Sequence, residues 1–197
     1  MTQKENIKDV AMLNPNYLGF IFHKTSIRFF DDTIPLLPKG IKKVGVFVNT
    51  DVNSILRQIN KHNLQAIQLH GQESPEICKI LKHKNVEVIK VFSIKEVFDF
   101  NRLKPYEPFV DFFLFDTKGK YAGGNGYTFN WEILKDYPST IPYFLSGGIG
   151  LDTIDKLNAF LKTPASKYCH ALDVNSKFEV RPGIKNVNAL TEFKSLL

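Results

Sequence analysis

Cysteine is scarce: Cys78 and Cys169 are the only two in 197 residues, far apart and without CxxC spacing. That excludes a disulfide framework and a zinc ribbon, and it fits a reducing cytoplasm. Apolar runs are short as well, and none approaches the roughly 18 residues needed to span a bilayer. The opening MTQKENIKDV is polar and lacks the apolar stretch of a secretory signal. Long blocks of like charge are missing too, although 26 Lys+Arg face 20 Asp+Glu for a formal net charge of +6. A surplus spread so thinly reads as a lysine-rich surface or an anionic substrate, and we expect neither nucleic acid nor membrane as a partner.

What is present is the balance of a soluble globular chain, 43% hydrophobic and 23% charged. The length suits one domain over residues 1–197. The 17 phenylalanines fall mostly in strand-like runs, where core packing accounts for them. Seven short apolar, β-branched or aromatic runs predict buried strands: 17–22, 43–48, 66–69, 86–91, 112–115, 143–145 and 171–174. Continuous apolar runs, rather than strict alternation, suit parallel strands covered on both faces.

Helical signatures sit between most of these strands. Asp51 caps a stripe of Val52, Ile55, Leu56 and Ile59, and Ser74-Pro75 opens another helix with Ile77, Ile80 and Leu81. Ser93-Ile94-Lys95-Glu96 reads as a capping box, Ile154, Leu157 and Leu161 stripe a further helix, and residues 187–197 close the chain with a last one. Regular alternation predicts a parallel α/β sheet, open or closed. The first element, 5–13, is a helix with no strand to feed it. An eight-stranded barrel missing strand one gives this count. Residues 30–40, interrupted by Pro35 and Pro38, predict a loop where a second helix belongs.

In such folds the loops after the carboxyl ends of the strands carry the chemistry. Asp116 stands where the 112–115 strand ends, a position that suits acid–base work or a simple turn cap. The glycine-rich run 122–126 follows it, either as an anion-binding or lid segment or as an ordinary loop. Gly147 and Gly148, just after the 143–145 strand, leave backbone amides open to a phosphate ahead of a helix. Asn175 and Ser176 follow the last strand and complete a two-loop phosphate site. Arg28 either carries the fork that grips a carboxylate or is an ordinary surface arginine. His70 reads more readily as structural than as catalytic. Cys78 and Trp131 read as packing residues, and Cys169 has no assigned chemistry.

The succession LGFIF…SIRFF, KKVGVFVN, IQLHGQE, FDTKGKYAGGNGYTFNW, LSGGI and ALDVNSKFE resembles phosphoribosylanthranilate isomerase, a (β/α)8 TIM barrel of tryptophan biosynthesis. The likeness runs from Met1 almost to the C-terminus. It implies isomerisation of N-(5-phosphoribosyl)anthranilate to 1-(2-carboxyphenylamino)-1-deoxyribulose 5-phosphate without a metal or organic cofactor. It also implies a phosphorylated, carboxylate-bearing small molecule as partner, and a monomer or homodimer. Asp116 would be the general acid that protonates the furanose oxygen. Arg28 would hold the anthranilate carboxylate, Gly147, Gly148, Asn175 and Ser176 the phosphate, and Asp173 would lie near the substrate. Lys177 departs from the family's glycine at the second phosphate loop.

The front departs most. The family opens with a strand ending in lysine, aliphatic, cysteine, glycine, aliphatic, threonine, and its cysteine is the general base. Met1-Thr2 matches the last two positions, so the cysteine falls two residues before Met1. A base is typically worth about 10²–10⁴ in rate. We therefore expect the natural polypeptide to extend upstream and the chain as written to turn over poorly. Alternatives weighed against this likeness are a sister phosphate-binding barrel and a non-catalytic barrel that binds a phosphorylated ligand. Indole-glycerol-phosphate synthase would need catalytic lysines at strand ends, whereas Lys90 lies within a strand. A histidine-pathway isomerase would show two similar halves, and none is visible.

Overall fold

The computed structural model describes residues 1–117 and 129–197; the glycine-rich run 122–126 lies outside them. Seven parallel strands form one sheet: β1 (Tyr17–Ile21), β2 (Lys42–Phe47), β3 (Ala66–Leu69), β4 (Glu87–Ile94), β5 (Phe112–Thr117), β6 (Tyr143–Leu145) and β7 (Cys169–Leu172). They pair strictly in chain order, β1 to β7, as successive βα crossovers dictate. Helices α1 (Lys4–Ala11), α2 (Val52–His62), α3 (Pro75–Lys82), α4 (Ile154–Leu161) and α5 (Val187–Ser195) accompany the sheet. A small antiparallel hairpin, β8 (Glu179–Arg181) with β9 (Ile184–Lys185), was not foreseen.

Side-chain alternation along the strands splits the core in two. Val44, Ala66, Ile89, Val91, Phe112, Leu114 and Phe144 form one buried cluster, with Tyr17 and Ala171 packed against it. The intervening residues, among them Ile67, Val88, Phe113 and Phe115, join a larger cluster with helix residues Ile7, Ile55, Ile59, Leu81 and Leu157. One cluster lines the concave interior of a curled sheet and the other lies between sheet and helices. Both faces are covered, which is why the strands read as unbroken apolar runs. The two end strands meet through side chains: the Tyr17 and His170 rings pack edge-on at 6.2 Å, with the Tyr17 hydroxyl 3.4 Å from His170 Nε2, and Phe144 of β6 packs against Tyr17 at 5.1 Å.

Two sequence expectations need correction. The Ser93–Glu96 capping box starts no helix, because β4 runs on to Ile94, which is buried and paired with Thr117. A strand already hydrogen-bonded to its neighbour outweighs a local capping pattern. A 3₁₀ turn at Phe100–Leu103 and another at Glu107–Phe109 lead to β5 instead. Trp131 begins a 3₁₀ segment, Trp131–Asp136, and the glycines after β6 lead first into the 3₁₀ turn Leu151–Thr153 and then into α4. Asp51 does cap α2, accepting from Ser54 N at 2.9 Å. Ser74 precedes α3 without a side-chain cap bond, and residues 30–40 contain no helix.

Candidate active site

Period-two alternation carries the interior stack up to the carboxyl rim. On β5, Phe112 and Leu114 point into the interior cluster, so Asp116 is the next residue on that face. The same count places His70 above Ala66 and Gln68, Ser146 above Phe144, and Asp173 above Ala171. These four polar side chains crown the apolar interior. They also touch: His70 Nε2 is 3.4 Å from Asp116 Oδ2, and Ser146 Oγ donates to Asp173 Oδ2 at 2.8 Å. The other ring nitrogen of His70 lies 3.2 Å from Gln68 Oε1, and Asp116 Oδ1 accepts from Thr117 N at 2.8 Å.

Burial pushes the Asp173 carboxyl up; the Ser146 hydrogen bond opposes that rise and the Asp116 charge adds to it. Two carboxyl groups therefore share one small mouth, and burial favours the protonated form of Asp173.

The glycine loop joins this mouth through Thr117. Gly147 and Gly148 have φ +87° and +69°, and a Cβ on Gly147 would fall 2.5 Å from Thr117 N. The loop therefore abuts the residue after Asp116, and the Thr117 hydroxyl accepts from Phe129 N at 3.0 Å. On the other side, a Cβ on Gly150 would meet Asp152 and the stem of Lys177, whose ammonium pairs with Asp152 at 2.7 Å. Lys177 thus ties the second loop to the first. Ser176 opens a 3₁₀ turn, Ser176–Phe178, beside it.

Asn175 and Arg28 are occupied by partners that the sequence did not reveal. Lys185 Nζ donates to the Asn175 backbone oxygen at 3.0 Å and to its Oδ1 at 2.6 Å. Arg28 Nε reaches both oxygens of Glu179 at 3.0 and 2.8 Å, and its terminal nitrogen lies 2.7 Å from Oε2. Burial alone would raise the Glu179 carboxyl. Arg28, Lys185 and the Gly183 N–H outweigh it, and the carboxyl sits below its usual range. Lys185 is driven down by desolvation, which the Glu179 charge opposes. The Met1 amine, close to this group, falls to about 5 through burial and the Lys185 charge. Two buried cations around one carboxylate leave this corner suited to a further anion.

Comparison with known proteins decides the family. The model of N-(5′-phosphoribosyl)anthranilate isomerase matches residues 1–195. The chain belongs to the phosphoribosylanthranilate isomerase family. A family member from Parabacteroides distasonis is 38% identical over 98% of this chain and 88% of its own length. One from Campylobacter jejuni is 37% identical over 96% and 91%. The crystal structure of the Thermotoga maritima isomerase covers all of this chain and 94% of its own, at 28% identity with a TM-score of 0.83. Another isomerase structure, in complex with reduced 1-(o-carboxyphenylamino)-1-deoxyribulose 5-phosphate, aligns at 26% identity and a TM-score of 0.76. The curled parallel sheet is therefore the α/β architecture of the family's TIM barrels.

Thr117, Glu179 and Lys185, which the structure brings to this mouth, were not singled out in the sequence, and His70 was read as structural rather than catalytic. Alternation from Ala66 through Gln68 would have placed His70 on the interior face. Glu179 closes the ALDVNSKFE motif, but nothing local links it to Arg28, 151 residues away.

Proposed function

We propose that the chain carries out the family's reaction, the rearrangement of N-(5-phosphoribosyl)anthranilate to 1-(2-carboxyphenylamino)-1-deoxyribulose 5-phosphate in tryptophan biosynthesis. The match over residues 1–195 carries the proposal. Asp116 is the proton donor. Its strand fixes the carboxyl at the mouth, Thr117 N–H orients one oxygen, and His70 flanks the other. Protonating the furanose oxygen breaks the C1′–O bond. The nitrogen lone pair follows to give the iminium, and loss of the C2′ proton then gives the enamine that tautomerises to the aminoketose. The family likeness assigns that second proton to a cysteine that neither Cys78 nor Cys169 matches, and no residue of the chain is given this step.

Gly147 and Gly148 take the phosphate on backbone amides, with Ser176 and Asn175 from the facing loop. Arg28 receives the anthranilate carboxylate beside Glu179, and Asp173 lies at the interior floor of the same mouth. A monomer or homodimer in the cytoplasm, with residues 1–197 as one barrel domain, goes with this function. The test is conversion of the substrate, followed spectroscopically, alongside calorimetric binding of the reduced product analogue. Binding that Asp116→Asn keeps and turnover that it loses support the assignment. A wild-type chain that neither binds the analogue nor converts the substrate overturns it.

A further inference from the structure

Lys90 and Glu73 form a buried ion pair on the far side of the sheet from the reaction mouth, with side chains 2% and 0% exposed at 3.0 Å. Burying two charges is costly, and a well-packed apolar pair is often as stable or more so. What this pair does hold is specific. Lys90 Nζ donates to Leu69 O at 3.0 Å and to Gly71 O at 2.8 Å, the two carbonyls that flank His70. Glu73 accepts from Gly71 N at 2.9 Å and from Asn49 N at 2.8 Å. Tyr106 fastens the Glu73 carbonyl at 3.0 Å. Gly71 itself is wedged in place, since a Cβ there would fall 2.7 Å from both Asn49 N and Glu73 Oε1.

The peptide groups on both sides of His70 are thus clamped from behind, and the imidazole between them projects to Asp116. We propose that Lys90 and Glu73 are positioning residues for the reaction. They lock the turn after β3 so that His70 stays against Asp116 while the ring oxygen is protonated. The proposal rests on Asp116 being the proton donor. Displacement of such a support by about 1 Å is enough to cost on the order of 10²-fold in rate.

The experiment compares wild type with Glu73→Gln, with the double variant Glu73→Gln/Lys90→Met, and with Asp116→Asn. It reads kcat, KM and the His70 ring signals in NMR spectra of the complete chain. The double variant leaves no lone buried charge and stays folded if the single variant does not. We expect kcat to fall about 10-fold or more in the Glu73 variants while KM changes less than about twofold, with the His70 signals displaced. A double variant with unchanged kcat and unchanged His70 signals overturns the proposal, whatever its melting temperature. Full turnover by Asp116→Asn overturns the proton-donor assignment by itself. Displacement of His70 in the Glu73 variants then still decides whether the pair positions it.

Discussion

Thr117 occupies the space that a side chain on Gly147 would need. The Cβ direction of Gly147 ends 2.5 Å from Thr117 N, at φ +87°. The loop proposed to take the phosphate and the strand that carries Asp116 are therefore pressed together by one glycine, and substitution there strikes both. Gly147→Ala is expected to destabilise by about 1–3 kcal/mol from backbone strain alone, with the Thr117 clash adding to it. Urea unfolding measures the loss. Activity should fall further than the lost stability explains, because Asp116 moves with Thr117.

Asp116→Asn keeps the shape of the mouth and removes the proposed proton donor. The expected loss is about 10²–10⁴ in kcat, with analogue affinity changed little. Steady-state kinetics and calorimetry on the same preparation separate the two.

Asp173 runs the other way. Its carboxyl is raised mainly by burial, so the folded chain holds its proton more tightly than the unfolded one. Such a group weakens the fold as pH climbs above the unfolded value of about 3.9. Asp173→Asn should therefore stabilise the protein at pH 7 by on the order of 1 kcal/mol, a rise of about 2–4 °C in Tm. The gain should vanish in acid, and the variant should bind and turn over substrate less well. Melting curves across pH show whether the gain has that sign.

Glu179 gives the opposite pH signature. Its carboxyl lies below the ordinary range, so its contribution is present above the unfolded value of about 4.3 and is lost as pH falls through the folded one. Stability should drop as pH falls below about 4.3. Glu179→Gln should flatten that drop while costing about 3–5 kcal/mol at neutral pH, since Arg28 and Lys185 are then left without their carboxylate. Denaturant midpoints at several pH values test both.

Both thiols should be inert. Burial pushes Cys78 and Cys169 up to about 11, leaving almost no thiolate at pH 7. A disulfide reagent is expected to label neither in the folded chain and both in denaturant.

The strands were legible because a sheet buried on both faces writes unbroken apolar runs. Six of the seven begin within one residue of the sequence reading, and β7 begins two residues earlier. The hairpin Glu179–Arg181 with Ile184–Lys185 was not legible: it is three and two residues long, too short for any apolar pattern to announce it. Ser93–Glu96 misled because capping chemistry is local while the pairing of Ile94 with Thr117 is not. At the site, Asp116 and Gly147 stood out as a carboxylate and a glycine at strand ends. The partners of Arg28 and His70 did not, since Glu179 and Asp116 are brought to them only by closure of the sheet. Lys90 was read as lying within its strand, but its grip on the turn that carries His70 needs coordinates.

The Tyr17 ring lies against His170 while the ladder itself stops at β1 and β7. Ring contacts can part without the concerted loss of many peptide bonds that separating paired strands demands. Amide exchange should therefore begin along Tyr17–Ile21 and Cys169–Leu172 and reach Ala66–Leu69 and Phe112–Thr117 last. The molecule has a clasp, and its readiest breathing motion is the one that unfastens it.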